Sequence, residues 1–294
     1  MVAHKSGFSL KNTTENDIQL APITGSHEVV HGLTIRSRLN ISRTVFEHIH
    51  RDYAEVDGDK GIDAPSNIIG EDPLRETMGE VTRVEVRHLG TVAYTDALDQ
   101  MKELQKQRIE DEIPDVLLIL EHPEIVTVGP RARNDGITPP EGYAHHPVDR
   151  GGGLTWHGPG QLVVYPIFKW SKEGETSVAA IIERIEAWII RALSQCGIES
   201  QRDERMQGVW VDGHKIASIG LSFLRWTSRH GFTINIDTPP GRVEGLAGCG
   251  LNEQTTTCLQ RLGHEVEQNA IIEALLSTME QTVSRHPEAF SIED

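Results

Sequence analysis

At Val81 the chain changes character. From there to Val283, segments with an apolar period of two alternate with segments whose apolar residues recur at helical spacing. An alternation of that kind predicts an α/β (α+β) domain in which a mixed central sheet is flanked by helices. Val81–Arg87 has strand periodicity, and Leu98, Met101 and Leu104 fall on one helical face within Thr95–Glu110. Val116–Leu120, Ile125–Val128 and Leu162–Phe168 are short apolar runs of the kind that form buried strands. Ser177–Cys196 carries the stripe Val178, Ile181, Ile182, Ile185, Ile189, Ala192 and Leu193, and Gly197 is placed to end that helix. Next comes a predicted meander: Gly208–Val211, an Asp212-Gly213 turn, Lys215–Leu224, a polar turn, then Phe232–Ile236. Ala270–Val283 is predicted to be the last helix.

Residues 1–80 lack sustained apolar periods and include an acidic, Gly- and Pro-containing run from Asp52 to Pro73. They are expected to form an extension or accessory element, with 81–294 as one catalytic domain. Neither a membrane-spanning run nor the apolar core of a secretory signal is visible, which predicts a cytoplasmic protein. A formal charge of −16 argues against sequence-independent nucleic-acid binding, which depends on cations that neutralise phosphates. The three cysteines, Cys196, Cys249 and Cys258, cannot all pair and contain no C-x-x-C spacing. Among the 14 histidines there is no metal-ligand spacing such as H-E-x-x-H, so no metal site is expected.

The segment from Arg150 to Gln161 bears the most chemical information, with glycine at five of its twelve positions. Glycine admits close approach of backbone to a ligand and leaves N–H groups able to point inward, so this loop is a candidate binding wall. It matches neither the Walker pattern nor G-x-G-x-x-G; its plain structural alternative is a tight turn between strands. Cys249 stands between two glycines, where little bulk hides a thiol, although most free cysteines are inert. Cys196, on an apolar helix face, and Cys258 are better suited to structural roles. Lys215 opens an otherwise apolar strand; such a lysine is ordinarily an edge charge, but beside a cysteine its ammonium would favour the thiolate.

Taken in order, these motifs resemble the lipoyl(octanoyl) transferases of the biotin and lipoate protein ligase superfamily. The resemblance runs through Arg87-His-Leu-Gly90, Leu120-Glu-His-Pro123 with Val128-Gly129, Arg150 to Pro166, Gly208-Val-Trp-Val211, Lys215 to Gly220, His230-Gly-Phe232 and Cys249-Gly250. It implies the catalytic-domain fold of that superfamily, with Cys249 as acyl-thioester nucleophile and Lys215 as its activating partner. An acyl pocket is implied from Arg150, Gly151, Gly152, Gly153, Leu154, Thr155, Trp156 and His157, with Ser218, Ile219 and Gly220, and His230, Gly231 and Phe232. Two features depart from the family: Gly248 where proline is common before the cysteine, and the first 80 residues, which the shorter chains lack.

The implied reaction moves an octanoyl group from octanoyl-acyl carrier protein to a lysine of a lipoyl domain, in 2-oxoacid dehydrogenase complexes or the glycine cleavage H protein, without a cofactor. An ATP-dependent lipoate or biotin protein ligase of the same fold, or a non-catalytic binder of acyl carrier or lipoyl domains, are the competing readings. Acidic partners would call for a local positive surface, for which Arg131, Arg133, Arg225 and Arg229 are the nearest candidates in sequence. Because every motif lies beyond residue 80, deleting residues 1–80 is expected to leave acyl transfer intact; a transfer assay on the shortened chain checks this.

Overall fold

The computed structural model describes residues 82–246 and 255–288, so the predicted extension, 1–80, lies outside the described residues. Among the described residues a seven-stranded sheet runs in the order β10-β1-β2-β6-β9-β8-β7. Its strands are β1 (Thr82–Thr91), β2 (Asp115–Glu121), β6 (Gln161–Ile167), β7 (Val209–Val211), β8 (His214–Leu224), β9 (Thr227–Asn235) and β10 (Arg285–Pro287). β10, β1 and β2 pair in parallel and the rest pair antiparallel, which makes the sheet mixed. A second sheet, β4-β3-β5, is built from β3 (Ile125–Val128), β4 (His145–Pro147) and β5 (Leu154–His157).

The uninterrupted apolar runs are explained by burial on both faces of the large sheet. Leu117 and Ile119 of β2 with Leu162 and Val164 of β6 face α3 (Val178–Gln195) and α4 (Gln268–Val283). Their neighbours Val116, Leu118, Val163 and Ile167 face Leu98, Met101 and Leu104 of α1 (Tyr94–Ile109). At the start of α3 the Ser177 hydroxyl accepts a hydrogen bond from the Ala180 N–H, and Gly197 follows its end with φ +75°. Asp212 and Gly213 take φ +49° and +77°, the mirror-image turn that matches strand twist. Val178, counted in the apolar stripe, is instead exposed.

Two predicted boundaries shift. β9 begins at Thr227 rather than Phe232, because its first residues are polar yet buried: the Ser228 hydroxyl accepts from Trp170 Nε1 at 2.8 Å and donates to the Pro166 carbonyl at 2.6 Å. The glycine-rich segment also contains a strand, β5, paired with β3.

β10 is held by a fully buried ion network. Arg285 donates to Asp115 at 2.8 Å and to Glu175 at 2.6 Å, with its guanidinium over the rings of Phe168 and Trp170. Removing the cation leaves buried Glu175 without a cation and Asp115 with Arg108 alone, so Arg285→Met is expected to lower the unfolding free energy by about 3–5 kcal/mol in equilibrium urea denaturation.

Candidate active site

A cavity of about 470 Å³ opens between the glycine-rich segment and β8, within the roughly 300–1,000 Å³ typical of ligand pockets. Gly151, Gly152, Gly153, Leu154 and Thr155 form one wall, and Lys215, Ser218, Ile219 and Gly220 the other. A smaller space of about 30 Å³ continues from it and adds Tyr94, His157, Tyr165, His230, Gly231 and Phe232. The sequence-predicted residues that the structure describes thus line two spaces that share Arg150, Thr155, Ser218, Ile219 and Gly220. Trp156 is the exception in orientation: its side chain packs with Val126, Val243 and Leu246 and donates to Glu124 at 3.0 Å.

Arg150 holds the glycine-rich wall. Its guanidinium is buried and donates to the Thr127 hydroxyl at 2.7 Å, to the Thr127 and Gly153 carbonyls at 3.0 and 3.1 Å, and to the Gly151 carbonyl at 3.0 Å. Gly151 N–H in turn donates to the Leu221 carbonyl of β8 at 2.9 Å. The approach of β3 to this wall requires glycine at 129, since a Cβ there would stand 2.3 Å from the Gly152 carbonyl oxygen.

His157 is buried beneath the same wall. Its Nδ1–H donates to Gln161 Oε1 at 2.9 Å and its Nε2 lies 3.1 Å from the Thr127 hydroxyl. Gln161 passes the chain to Asn235 at 2.8 Å, and Asn235 donates to the Thr257 carbonyl at 2.9 Å. Burial above all, then the neighbouring His122, Arg150 and His230, hold the His157 imidazole well below its usual pKa, so it is neutral. His122 is lowered by burial as well; its Nδ1–H donates to the Val92 carbonyl at 2.7 Å and its Nε2 accepts from Tyr165 at 2.8 Å.

His230 takes φ +61° inside β9, a left-handed conformation that a side chain bearing Cβ adopts at a cost. The turn aims its Nε2–H at Asp149, 3.0 Å away, next to Arg150 in the chain. That hydrogen bond, with the Arg229 guanidinium beside it, holds the Asp149 carboxyl far below the usual carboxylate range. Arg229 is therefore committed to Asp149, and Arg133 donates to the Val128 and Val148 carbonyls at 2.7 Å each. Of the four arginines expected to form a positive surface, Arg229 is largely buried and paired with Asp149, whereas Arg131, Arg133 and Arg225 are exposed.

Lys215 is buried at the near end of the cavity. Its backbone N–H donates to the Thr255 carbonyl at 2.9 Å and its carbonyl accepts from Thr257 N–H at 3.0 Å. Cys249 lies outside the described residues; the chain leaves them at Leu246 and returns at Thr255. Leu246 and Thr256 both border a small hollow beside Ser218. Of the other thiols, Cys258 is buried and accepts from Arg261, while burial raises the pKa of Cys196. Among the described residues no group of histidine, cysteine and carboxylate side chains is arranged to hold a metal ion. Tyr94, His122, Thr127, Asp149, Gln161, Tyr165 and Asn235 complete the site; His122, Gln161 and Tyr165 fall inside the motifs that carry the resemblance, whereas Tyr94, Thr127, Asp149 and Asn235 have no spacing that would single them out.

A family model for the lipoyl protein ligase A/B catalytic domain matches residues 93–280. The chain belongs to that family. It is 36% identical over 205 residues to an octanoyltransferase of Corynebacterium efficiens, covering 67% of this chain and 80% of the relative. It is 39% identical over 193 residues to an octanoyltransferase of Rubrobacter xylanophilus, covering 62% and 86%. The fold is similar to that of lipoate-protein ligase A solved with ATP, with a TM-score of 0.52 at 11% identity, over 73% of this chain and 90% of that one. A bipartite lipoate protein ligase from Thermoplasma acidophilum superposes with a TM-score of 0.50 at 11% identity, over 72% and 88%.

The buried neutral histidines make stability depend on pH. A histidine whose folded pKa lies below its unfolded value of about 6.5 stabilises fully above that pH and progressively less below it. Below pH 6.5 the unfolding free energy is expected to fall with pH by at most about 1.4 kcal/mol per pH unit for each such histidine. Urea denaturation across that window checks this, and His157→Gln should flatten the slope by one such increment.

Proposed function

We propose that this chain is an octanoyltransferase that works through a Cys249 acyl-thioester, taking octanoyl from acyl carrier protein and delivering it to a lysine of a lipoyl domain. Family membership and the shared name of its relatives support acyl transfer in lipoylation. The observation that carries the cysteine mechanism is the backbone pairing of Lys215, buried at the cleft's near end, with Thr255–Thr257, the segment that follows Cys249 in the chain. That pairing ties the sequence neighbourhood of Cys249 to the ammonium that would activate it.

In the first half-reaction the Cys249 thiolate attacks the octanoyl thioester. A new carbon–sulfur bond forms, and the carrier's thiolate leaves and takes a proton. In the second, an uncharged lysine amine attacks the acyl-enzyme, the amide bond forms, and Cys249 departs as thiolate while the amine proton is released to a base. One thioester exchanges for another and the amide makes the sum downhill, so neither ATP nor another cofactor is needed. Lys215 favours thiolate over thiol by its charge. Backbone N–H groups of the glycine-rich wall would donate to the developing oxyanion. The apolar side chains on the cavity wall, Leu154, Ile182, Ile219 and Leu221, shield the acyl-enzyme from water.

Cys249→Ala is expected to abolish both the octanoyl adduct in intact-mass spectrometry and transfer, whereas Cys196→Ala and Cys258→Ala keep both. Transfer by the Cys249 variant from free octanoate and ATP would instead establish a ligase. Lys215→Ala should slow acylation about 100-fold and move the pH profile of Cys249 alkylation upward; an unshifted profile would contradict the electrostatic role.

A further inference from the structure

The far end of the cleft is polar where an octanoyl group is not. Tyr94 is 3% exposed and lines the 30 Å³ space, and its hydroxyl makes no hydrogen bond to any described residue. Such a group costs free energy unless a partner arrives, and here the partner has to come from what enters the cavity. Burial pushes the Tyr94 phenol far above its ordinary pKa, so it stays a proton donor at any working pH.

The space lies at the right depth for a chain terminus. The Lys215 side chain runs along β8 toward the Ala217 carbonyl, since a Cβ at Gly208 would meet both, and Ala217 and Gly220 are three residues apart, about 10 Å at roughly 3.3 Å per residue. An extended eight-carbon chain spans about 9 Å from carbonyl to methyl carbon. A carbonyl held near the Lys215 ammonium therefore sends its tail along β8 toward Gly220 and its register partner Gly231, both of which border the space that Tyr94 lines. With about 10–15 Å³ sufficient for one water, 30 Å³ accommodates one or two further heavy atoms.

Building on the octanoyl-transfer reading, we propose that Tyr94 is a specificity-determining residue that reads the far end of the acyl chain. Its hydroxyl rejects methylenes that extend past the octanoyl terminus and accepts a medium-chain acyl group whose terminal atom can hydrogen-bond. A saturated chain longer by one or two carbons fills the space and leaves the hydroxyl buried without an acceptor. A chain of the same length ending in a hydroxyl supplies one. Sites built to hydrogen-bond a ligand reject its apolar analogue strongly for this reason.

The test is acyl transfer by the wild-type full chain and by Tyr94→Phe. Nonanoyl and decanoyl thioesters are compared with their isosteres 8-hydroxyoctanoyl and 9-hydroxynonanoyl, and octanoyl serves as reference. The wild type should favour the hydroxyl-terminated member of at least one pair by about tenfold in kcat/KM, and Tyr94→Phe should erase or reverse that preference. Equal ratios in both proteins at every length overturn the inference and leave the octanoyltransferase reading standing. Failure of the wild type to transfer octanoyl overturns both. The unloaded Tyr94→Phe protein should melt at the wild-type temperature or above, because the lost hydroxyl bonds to no described residue; a melting point several degrees lower would make the hydroxyl structural and overturn the inference.

Discussion

The buried guanidinium of Arg150 is the constraint on which the cleft depends. A charge taken out of water is tolerated only where its donors are met by well-placed acceptors, and here three backbone carbonyls and one hydroxyl meet them. Those acceptors belong to β3 and to the glycine-rich segment, so satisfying the guanidinium joins the small sheet to the wall of the cavity. Glycines allow the wall to follow this path, but they cannot hold it there. A lysine in place of Arg150 would keep the charge and lose the planar fork that reaches Thr127, Gly151 and Gly153 together.

A second fastening works from the opposite strand. His230 accepts a left-handed backbone in the middle of β9, and in return its imidazole bonds Asp149, the residue just before Arg150. Next to it, Gly231 passes so near β6 that a Cβ would stand 2.1 Å from the Val164 carbonyl oxygen. Strain at 230 and close approach at 231 thus belong to one local arrangement: β9 presses on the large sheet while reaching across to the glycine-rich wall. The chain His157–Gln161–Asn235–Thr257 extends this order to the strand segment that pairs with Lys215. The polar residues in the cleft are therefore linked from its far end to its near end.

Much of the large sheet was legible because its chemistry is repetitive. β2 and β6, buried on both faces, had to be continuous apolar runs, and α3 had to show a stripe with a serine before it and a glycine after it. β5 was hidden because glycine dominates its surroundings, and the first residues of β9 because Ser228, Arg229 and His230 are polar side chains that find buried partners only in three dimensions. The cleft walls were legible through ordered motifs whose spacing survives in one dimension. Tyr94 was not, since a single tyrosine at the start of an amphipathic helix is indistinguishable from core until the fold sets it against His122 and His157.

Charge shows the same division between what a sequence counts and what a fold uses. Arg133 and Arg229 are cations in composition, but Arg229 is largely buried and neutralises Asp149, while Arg133 stays exposed with one nitrogen held by carbonyls of β3 and of the loop after β4. The outward charge beside the cavity falls to Arg131, paired only loosely with Asp135 at 3.9 Å, and to Arg205, held by Asp203 and stacked on Trp210. Both cations have a carboxylate partner, and Glu204 lines the same opening, so the mouth of the cavity carries charge of both signs. The far end closes instead on tyrosine and histidine side chains. The cleft is therefore charged at its mouth and polar but without carboxylates at its floor, an asymmetry suited to a ligand that carries its charge outside and its chain within.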